Sequence, residues 1–151
     1  MKIPLIQYCI MKKAIECFKY LLVNGFDDPN KTIEEQNPNP DITWWKSRHR
    51  YEWDCMAIAI FFENKEIIKI LEEKGIEKGK NPVHIEAAIL SYRNIITKEI
   101  IEDMKENNEE IQNLLDISII ASAKSNNINE VEYLMTKGVN INAHDKQLTL
   151  F

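Results

Sequence analysis

The sequence predicts an all-α fold, a helical-hairpin solenoid of about four units with a long irregular insertion after the first. One observation behind this prediction is a ten-residue pattern that recurs in degraded form, as ECFKYLLVNG at 16–25, EIIKILEEKG at 66–75 and NEVEYLMTKG at 129–138. Each copy is amphipathic and ends in glycine, the residue favoured just past a helix C-terminus. Apolar residues elsewhere also follow helical spacing, without the alternation typical of strands.

Length and composition are those of one soluble domain. The 151 residues suffice to bury a continuous core, so we expect a single domain over 1–151. A formal charge of -5 disfavours general attraction to nucleic acid. No apolar run reaches the roughly 18 residues of a membrane span and the N-terminus lacks a signal-peptide pattern, so we expect a cytoplasmic protein. Cys9, Cys17 and Cys55 lie in apolar helical patterns, which predicts buried free thiols.

The first hairpin is expected at about residues 3–25. Pro4 suits the first turn of its opening helix, and Gly25 ends its returning helix. The insertion follows at about 26–52. Its turn and helix-breaking residues predict an irregular loop over most of 27–43, and long loops inside compact domains are often functional.

The second hairpin is expected at about residues 53–75. Asp54 is a suitable N-cap for its opening helix. Residues 56–62 are apolar on almost all sides, as expected of a helix covered by neighbours on both sides. The returning helix carries an apolar stripe and closes at Gly75.

The third and fourth hairpins are expected at about 81–106 and 114–145. The returning helix of the third begins near Asn94, lacks a closing glycine and is expected to overrun the usual length. The fourth closes at Gly138. The acidic segment 98–110 is interpreted as a solvated helix face, with electrostatic steering of a basic partner as the alternative.

Two stretches carry a resemblance to a known family. GVNINAHD at 138–145 resembles the ankyrin turn, whose usual form is G-A-D-V-N-A-x-D, and PVHIEAA at 82–88 is similar to the T-P-L-H-x-A-A helix opening. The hairpins that open at Pro4 and Asp54 reach their closing glycines one residue later than the common ankyrin unit. This lengthening, with WDCMAIAI at 53–60 and HIEAAILSYRN at 84–94, looks like the divergent ankyrin-like domain of unknown function that fronts many ankyrin proteins of parasitic protists. The resemblance covers most of the chain, although the insertion and the third hairpin depart from the pattern.

What the resemblance implies is a stack of helix-turn-helix units with a concave surface used for protein binding, and no catalytic residues. His84 matches the ankyrin position whose imidazole ties adjacent turns together. We therefore expect a noncatalytic scaffold or adaptor for a protein partner of unknown identity, with no cofactor, metal, nucleic acid or membrane. The alternative is an inert structural segment of a longer array, which stacks on further repeats or self-associates through its C-terminal end at 146–151.

The predicted partner contacts gather around the end of the insertion and in the last turn. They are Trp44, Trp45, Arg48, Arg50, Tyr51, Trp53, His144 and Asp145. Tryptophan, tyrosine and arginine dominate binding hot spots because they bury large rigid surfaces and offer directional donors. The alternative is that the aromatic residues fill the gap between the first and second hairpins, with the arginines stacked on indole faces or paired to carboxylates.

Catalytic motifs are thin in this sequence. It contains no glycine-rich phosphate loop, no H-E-x-x-H, no paired C-x-x-C and no G-x-S-x-G. The remote alternative is a cysteine-dependent enzyme in which His84 activates Cys55, because thiolate chemistry needs a base within hydrogen-bond reach. The apolar helix around Cys55 disfavours a thiolate and argues against that alternative.

Overall fold

Every regular element that the structure describes is an α-helix. The computed structural model describes residues 4–26, 28–32, 53–104 and 108–143, without the side chains of residues 108 and 109. This part of the chain contains no β-strand, which confirms the predicted all-α class. Its helices are α1 (Leu5–Met11), α2 (Ile15–Val23), α3 (Cys55–Phe61), α4 (Lys65–Glu73), α5 (Pro82–Leu90), α6 (Asn94–Asp103), α7 (Asn108–Ser125) and α8 (Ile128–Thr136).

Consecutive helices form hairpins that share one turn geometry: α1 and α2 are hairpin 1, α3 and α4 hairpin 2, α5 and α6 hairpin 3, and α7 and α8 hairpin 4. Each turn contains one residue with a left-handed backbone, whose φ lies between 52° and 60°. The next residue donates its N–H to the carbonyl five positions earlier, at 2.7 to 2.9 Å. The left-handed turn residues are Lys13, Glu63, Tyr92 and Asn126. Positions at equal distance from these residues are therefore equivalent between hairpins.

Glycine ends the second helix of hairpins 1, 2 and 4, as the sequence predicts. Gly25, Gly75 and Gly138 have φ values of 64°, 83° and 75°, a region that other residues adopt only with strain. The residue after each glycine donates its N–H to the carbonyl five positions earlier. This hydrogen bond satisfies one of the acceptors left open at a helix C-terminus.

The end of hairpin 3 differs from our expectation. Helix α6 ends at Asp103 because Met104 has an extended backbone with ψ of 109°, and its 10 residues barely exceed the 9 of α8. The predicted overrun therefore amounts to one residue beyond the second helices of the other hairpins. The long helix is α7, which has 18 residues and begins at Asn108 rather than near Leu114. The acidic segment 98–110 is thus divided between two helices and does not form one helix face.

Internal contacts group the chain into two compact units. We call them the N-terminal unit, which ends at His84, and the C-terminal unit, which begins at Ile85. The N-terminal unit buries Ile6, Ile10, Phe18, Met56, Ile60, Ile67 and Leu71. The C-terminal unit packs Ile85, Ile89, Ile100, Leu114 and Ala121 into one cluster and Leu115, Leu134 and Val139 into another. Within the C-terminal unit, hairpins 3 and 4 therefore share a core.

Candidate functional site

Asparagine side chains fasten neighbouring hairpins at the turn edge, where the second helices begin. Asn64, the N-cap of α4, accepts a hydrogen bond from its own helix at 3.2 Å and donates to the Ile10 carbonyl of hairpin 1 at 3.4 Å. Asn127, the N-cap of α8, accepts from its own helix at 3.3 Å and donates to the Ile89 carbonyl of hairpin 3 at 3.3 Å. Both asparagines are buried. Asparagine suits this role because one amide both caps a helix and supplies a donor.

In the C-terminal unit, α6 and α8 lie side by side and run in the same direction. At their starts, Asn94 and Asn127 exchange amide hydrogen bonds of 2.8 and 3.3 Å. One turn farther along α6, Lys98 Nζ lies 5.1 Å from the ring centre of Tyr133 on α8. The first residues of α6 contact the first residues of α8, and the following turn of α6 contacts a later turn of α8. The two helices are therefore parallel neighbours.

Both helices expose large apolar side chains, and we call the exposed residues of α6 and α8 together the α6/α8 face. Ile95 on α6 is 75% exposed, while Ile128 and Met135 on α8 are 64% and 51% exposed. Ile128 and Met135 are about two helical turns apart, with the exposed Glu132 between them, so all three lie on one side of α8. Ile128 and Met135 are equivalent to Asn94 and Ile101 of hairpin 3, which contact hairpin 4, so these two side chains point away from α6.

The exposed parts of α6 and α8 also carry carboxylates. The exposed acidic residues are Glu99, Glu102, Asp103 and Glu132. Two lysines, Lys98 and Lys137, lie 5.1 and 5.4 Å from the ring centre of Tyr133. Burial, with Glu102 and Glu130 nearby, raises the pKa of Tyr133, so its phenol stays neutral at physiological pH. The face therefore combines apolar side chains with an excess of negative charge.

At the position of Ile95, the turn edge of the N-terminal unit carries charged residues, whereas that of the C-terminal unit carries an apolar one. Ile95 is equivalent to Glu16 of hairpin 1 and Glu66 of hairpin 2, both of which are exposed. Lys19 Nζ lies 3.2 Å from a Glu16 carboxylate oxygen and 3.5 Å from one of Glu66. The described residues of this unit expose large apolar side chains elsewhere, at Leu5, Tyr8, Tyr20, Val23 and Phe26.

Glu130 is a buried carboxyl in the C-terminal unit, at the position that Ile67 occupies in hairpin 2. Its side chain is fully buried, and neither oxygen has a hydrogen-bond partner among the described residues. Burial raises its pKa to about 7, and the charge of Lys98 opposes part of that rise. Because an ionised carboxyl is poorly solvated there, Glu130 weakens the C-terminal unit at and above neutral pH.

Of the partner contacts that the sequence predicts, the structure describes Trp53. Its ring is 2% exposed, and its centre lies 5.2 Å from that of Phe61. The buried Gln7 donates to the Trp53 carbonyl at 3.4 Å. Trp53 therefore packs inside the N-terminal unit, as the packing alternative predicts, and is not an exposed contact. The other candidates lie outside the described residues, and they are Trp44, Trp45, Arg48, Arg50, Tyr51, His144 and Asp145.

Asp54 and His84 form a buried hydrogen-bonded pair in the N-terminal unit. The Asp54 carboxylate accepts from the Ala57 N–H at 2.9 Å, which confirms the predicted N-cap, and lies 2.8 Å from His84 Nε2. Because the Gly79 N–H donates to His84 Nδ1 at 3.1 Å, the ring proton sits on Nε2 and is donated to Asp54. Both nitrogens of His84 thus have partners other than the fully buried Cys55.

The part of the chain that the structure describes shows no metal centre. No group of three or more histidine, cysteine, aspartate or glutamate side chains within it could hold an ion. None of its helices is both long enough and apolar enough to cross a membrane. The cysteines are free, and Cys9 and Cys55 are buried as predicted. The prediction is wrong for Cys17, which lies on the exposed side of α2 next to Glu16.

Periodicity in the sequence did not reveal the α6/α8 face. Ile128 and Met135 continue the apolar pattern of α8, so a helical reading assigns them to the core. A comparison of the hairpins at equivalent positions could have found Ile95, because it stands where hairpins 1 and 2 have glutamate. The exposure of Ile95 can be predicted by comparing equivalent positions of the hairpins, but not from the apolar pattern of a single helix.

Comparisons with protein-family models, with curated proteins and with solved structures found no match for this chain. The geometry of its own residues is therefore the basis for a functional assignment.

Proposed function

We propose that the chain is a noncatalytic protein-binding scaffold built from ankyrin-like helical hairpins, and that the α6/α8 face is its binding surface. The observation that carries the proposal is the exposure of Ile95, Ile128 and Met135 on two helices whose starts are hydrogen-bonded together. Ile128 and Met135 share one side of α8, and exposed apolar side chains that lie together on a surface are typical of protein-interaction sites. The repeated hairpin turn supports the ankyrin-like part of the proposal.

The energetics of this face suit a moderate, reversible interaction. Full burial of one large aliphatic side chain stabilises a complex by about 1.5 kcal/mol or more. Three such side chains can therefore supply several times that amount before the entropy of association is subtracted. The paired hydrogen bonds between Asn94 and Asn127 hold the two helices in place, so little backbone order has to be gained on binding.

The noncatalytic part of the proposal is supported by the surroundings of His84. Its two ring nitrogens are engaged by Asp54 and by the Gly79 N–H. Cys55, the one nucleophile considered for it, is fully buried. A general base must reach the proton that it removes, and a buried thiol is inert unless its surroundings favour the thiolate. The pair Asp54–His84 therefore fits a structural role in this unit.

A second candidate function, a structural segment of a longer array, is supported by hairpin 1. Leu5 is 62% exposed and Tyr8 is 47% exposed. The equivalent residues of the other hairpins are all buried, and they are Cys55 and Ile58, His84 and Ala87, and Ser118 and Ala121. In the C-terminal unit this position packs on the preceding hairpin, since Ala121 shares a cluster with Ile85. A further hairpin stacked on hairpin 1 would cover Leu5 and Tyr8 in the same way.

Sedimentation at several concentrations tests the second candidate. If another copy stacks on hairpin 1, the native chain self-associates with rising concentration and the double variant Leu5→Ser/Tyr8→Ser does not. Dimers that persist in the variant, or a strictly monomeric native chain, would contradict a self-stacking hairpin 1.

Affinity capture from a lysate of cells that express the protein tests the main proposal. The variants are Ile95→Ser/Ile128→Ser on the α6/α8 face and Val23→Ser as the control, since Val23 is 73% exposed on the N-terminal unit. We expect the double variant to recover at least about tenfold less of the captured partner, because central apolar contacts dominate binding energy. The control variant should recover as much as the native chain.

Equal recovery by the native chain and the double variant would overturn the assignment to this face. Circular dichroism of each variant guards against unfolding, which is not expected because the substituted side chains are exposed. A separate variant, Trp44→Ala/Trp45→Ala, tests the contacts that the sequence predicts. Loss of capture in that variant alone would place binding there instead.

A further inference from the structure

Hairpins 1 and 4 each leave apolar side chains uncovered, and the uncovered sides are opposite sides of the repeated hairpin. We infer that hairpin 4 of one copy of the chain stacks on hairpin 1 of a second copy, so that the protein associates with itself head to tail. The inference rests on the proposed functions, because it takes Ile128 as a binding residue and hairpin 1 as an open end. It adds that the partner is a second copy of the chain.

Hairpin 4 is uncovered on the side that a following hairpin would occupy. Ile128 and Met135 lie on this side, because their equivalents in hairpin 3 contact hairpin 4. Ala123, in the last turn of α7, is also exposed. The residues equivalent to Ala123 in the other hairpins are fully buried, and they are Ile10, Ile60 and Ile89. In hairpin 3 this position packs on the following hairpin, since Ile89 shares a cluster with Leu114.

Hairpin 1 is uncovered on the side that a preceding hairpin would occupy. Leu5 and Tyr8 are exposed there, whereas their equivalents in the other three hairpins are buried. Phe26, directly after the closing glycine, is exposed as well. Its equivalent in hairpin 4 is Val139, which is buried in a cluster that Ile101 of hairpin 3 contacts. The two uncovered sides are therefore those that meet where hairpin 4 follows hairpin 3, a contact we call the 3/4 joint.

The second helices of the two sides present large apolar residues at matching positions. In a stack with the geometry of the 3/4 joint, Met135 of one copy meets Phe26 of the other. These residues take the places of Ile101 and of the cluster that contains Val139. Both side chains are exposed in the single chain, so the stack removes their apolar surface from water.

The first helices of the two sides differ in size in a complementary way. In the 3/4 joint, the large Ile89 shares a cluster with the small Ala121. Between copies, the equivalent positions hold the small Ala123 and the large Tyr8. The large and the small residue have changed places, so the total side-chain volume is of the same kind, as close packing requires.

The contact at the turn edge becomes apolar in the stack between copies. In the 3/4 joint, Asn94 and Asn127 exchange hydrogen bonds. The equivalent residues between copies are Ile128 and Ala14. Neither of these side chains has a hydrogen-bonding group, so the stack leaves no donor or acceptor of this pair unsatisfied.

One charged position opposes the stack and offers a sharp test of its register. Lys19 of hairpin 1 lies 3.5 Å from Glu66 of hairpin 2. The equivalent pair between copies is Glu132 and Glu16, and these two carboxylates repel each other. Lys19 lies 3.2 Å from Glu16 and offsets part of the repulsion. The native stack is therefore weakened at this position, and Glu132→Lys should strengthen it.

Sedimentation of two blocked variants, alone and mixed, tests the inference. Leu5→Ser/Tyr8→Ser blocks hairpin 1, and Ile128→Ser/Met135→Ser blocks hairpin 4. We expect each variant alone to associate at least about tenfold more weakly than the native chain, because the central apolar contacts dominate binding energy. An equimolar mixture should form a dimer of one molecule of each, since a head-to-tail contact needs only one intact end from each copy. Val23→Ser, at an exposed position of hairpin 1, should associate like the native chain.

Charge variants in the same measurement test the register. Glu132→Lys should strengthen self-association about threefold, since it replaces a repulsion between exposed charges by an attraction. The gain should shrink as salt is added and disappear when Glu16→Lys is combined with it. Glu73→Lys is the control, because Glu73 is exposed and lies outside the stacked sides, and it should associate like the native chain.

A native chain that stays monomeric at every concentration would overturn the inference, as would a mixture of the blocked variants that does not dimerise. Failure of Glu132→Lys to strengthen association would overturn it too. Circular dichroism of each variant confirms that the helices are retained. These outcomes are distinct from failure of the proposed functions.

Two results would leave a proposed function standing while the head-to-tail stack fails. If only the hairpin 1 variant loses self-association, hairpin 1 is an open end that meets another hairpin 1. If the native chain is monomeric yet captures a different protein in an Ile128-dependent manner, the scaffold function stands and a second copy is not the partner.

Discussion

The two units of the molecule each bury a carboxyl group, and they treat it in opposite ways. In the N-terminal unit, the Asp54 carboxylate caps α3 by accepting a hydrogen bond from the Ala57 N–H. It also accepts a hydrogen bond from Nε2 of His84. In the C-terminal unit, Glu130 is buried without a hydrogen-bond partner among the described residues. Removing one partner of a satisfied buried carboxylate is costly, and a buried carboxylate without partners is itself destabilising. The N-terminal unit therefore depends on its buried carboxyl, whereas the C-terminal unit is weakened by its own.

The same contrast extends to the surface. The turn edge of the N-terminal unit carries ion pairs such as that of Lys19 and Glu16, whereas the C-terminal unit exposes Ile95 and Ile128. Residues that weaken a fold without an evident gain in packing tend to gather at functional sites. Both units expose large apolar side chains, so the comparison supports the proposed interaction surface of the C-terminal unit through its apolar turn edge and its unsatisfied carboxyl.

We expect the largest change in stability when the hydrogen-bonded carboxyl group of Asp54 is removed. Asp54→Ala removes a helix cap and leaves the buried His84 donor without an acceptor, so we expect the free energy of unfolding to fall by about 3 kcal/mol. Urea denaturation followed by circular dichroism measures it. Asp116→Ala is the matched control, because among the described residues Asp116 accepts a hydrogen bond from the exposed Gln112 at 2.9 Å, and it should change stability by less than about 0.5 kcal/mol. A loss below about 1 kcal/mol for Asp54→Ala would contradict this account of the pair.

A smaller effect of opposite sign is expected at the unsatisfied carboxyl. Glu130→Ile places at this position the residue type that Ile67 supplies in hairpin 2, where it is fully buried. We expect the free energy of unfolding to rise by about 1 to 2 kcal/mol, because a desolvated carboxyl is replaced by an apolar side chain. The same urea titration measures the change. A decrease would mean that Glu130 has a stabilising partner, and the comparison between the two units would fail.

The smallest expected effect is a pH dependence that belongs to Glu130. Its folded-state pKa is raised to about 7 from an ordinary value of 4.5, so the folded chain holds this proton more tightly than the unfolded chain. The resulting stability is fully present below pH 4.5 and is lost as the pH rises through about 7. Relative to Glu130→Gln, we expect the native chain to lose about 1 kcal/mol between about pH 6 and 8. Parallel pH profiles of the two chains would exclude the raised pKa.

Much of the fold follows from patterns that lie within short segments. Helical spacing of apolar residues predicts the helices, the closing glycines predict the ends of α2, α4 and α8, and Asp54 predicts the start of α3. These predictions succeed because helix caps and helix ends depend on a few neighbouring residues. Even the burial of Trp53 was one of two open interpretations.

The remainder depends on contacts between distant residues. No glycine or proline near Asp103 predicts that α6 ends there. Helix α7 begins earlier in the chain than its apolar pattern suggests. Glu130 looks like a solvent-exposed residue of α8, yet the packing of the C-terminal unit buries it. Ile95 looks like a core residue, yet it is exposed. Helical period alone cannot decide which side of a helix a neighbouring helix covers.

Site-specific photocrosslinking tests most directly whether the C-terminal unit carries the interaction surface. A benzophenone amino acid is introduced at position 128 of one chain and at position 23 of another, since Ile128 and Val23 are exposed to a similar degree, 64% and 73%. Each chain is irradiated in a lysate of cells that express the protein, and adducts are resolved by mass. We predict a discrete adduct from position 128 and none from position 23. The same adducts from both positions, or adducts from position 23 alone, would contradict the account.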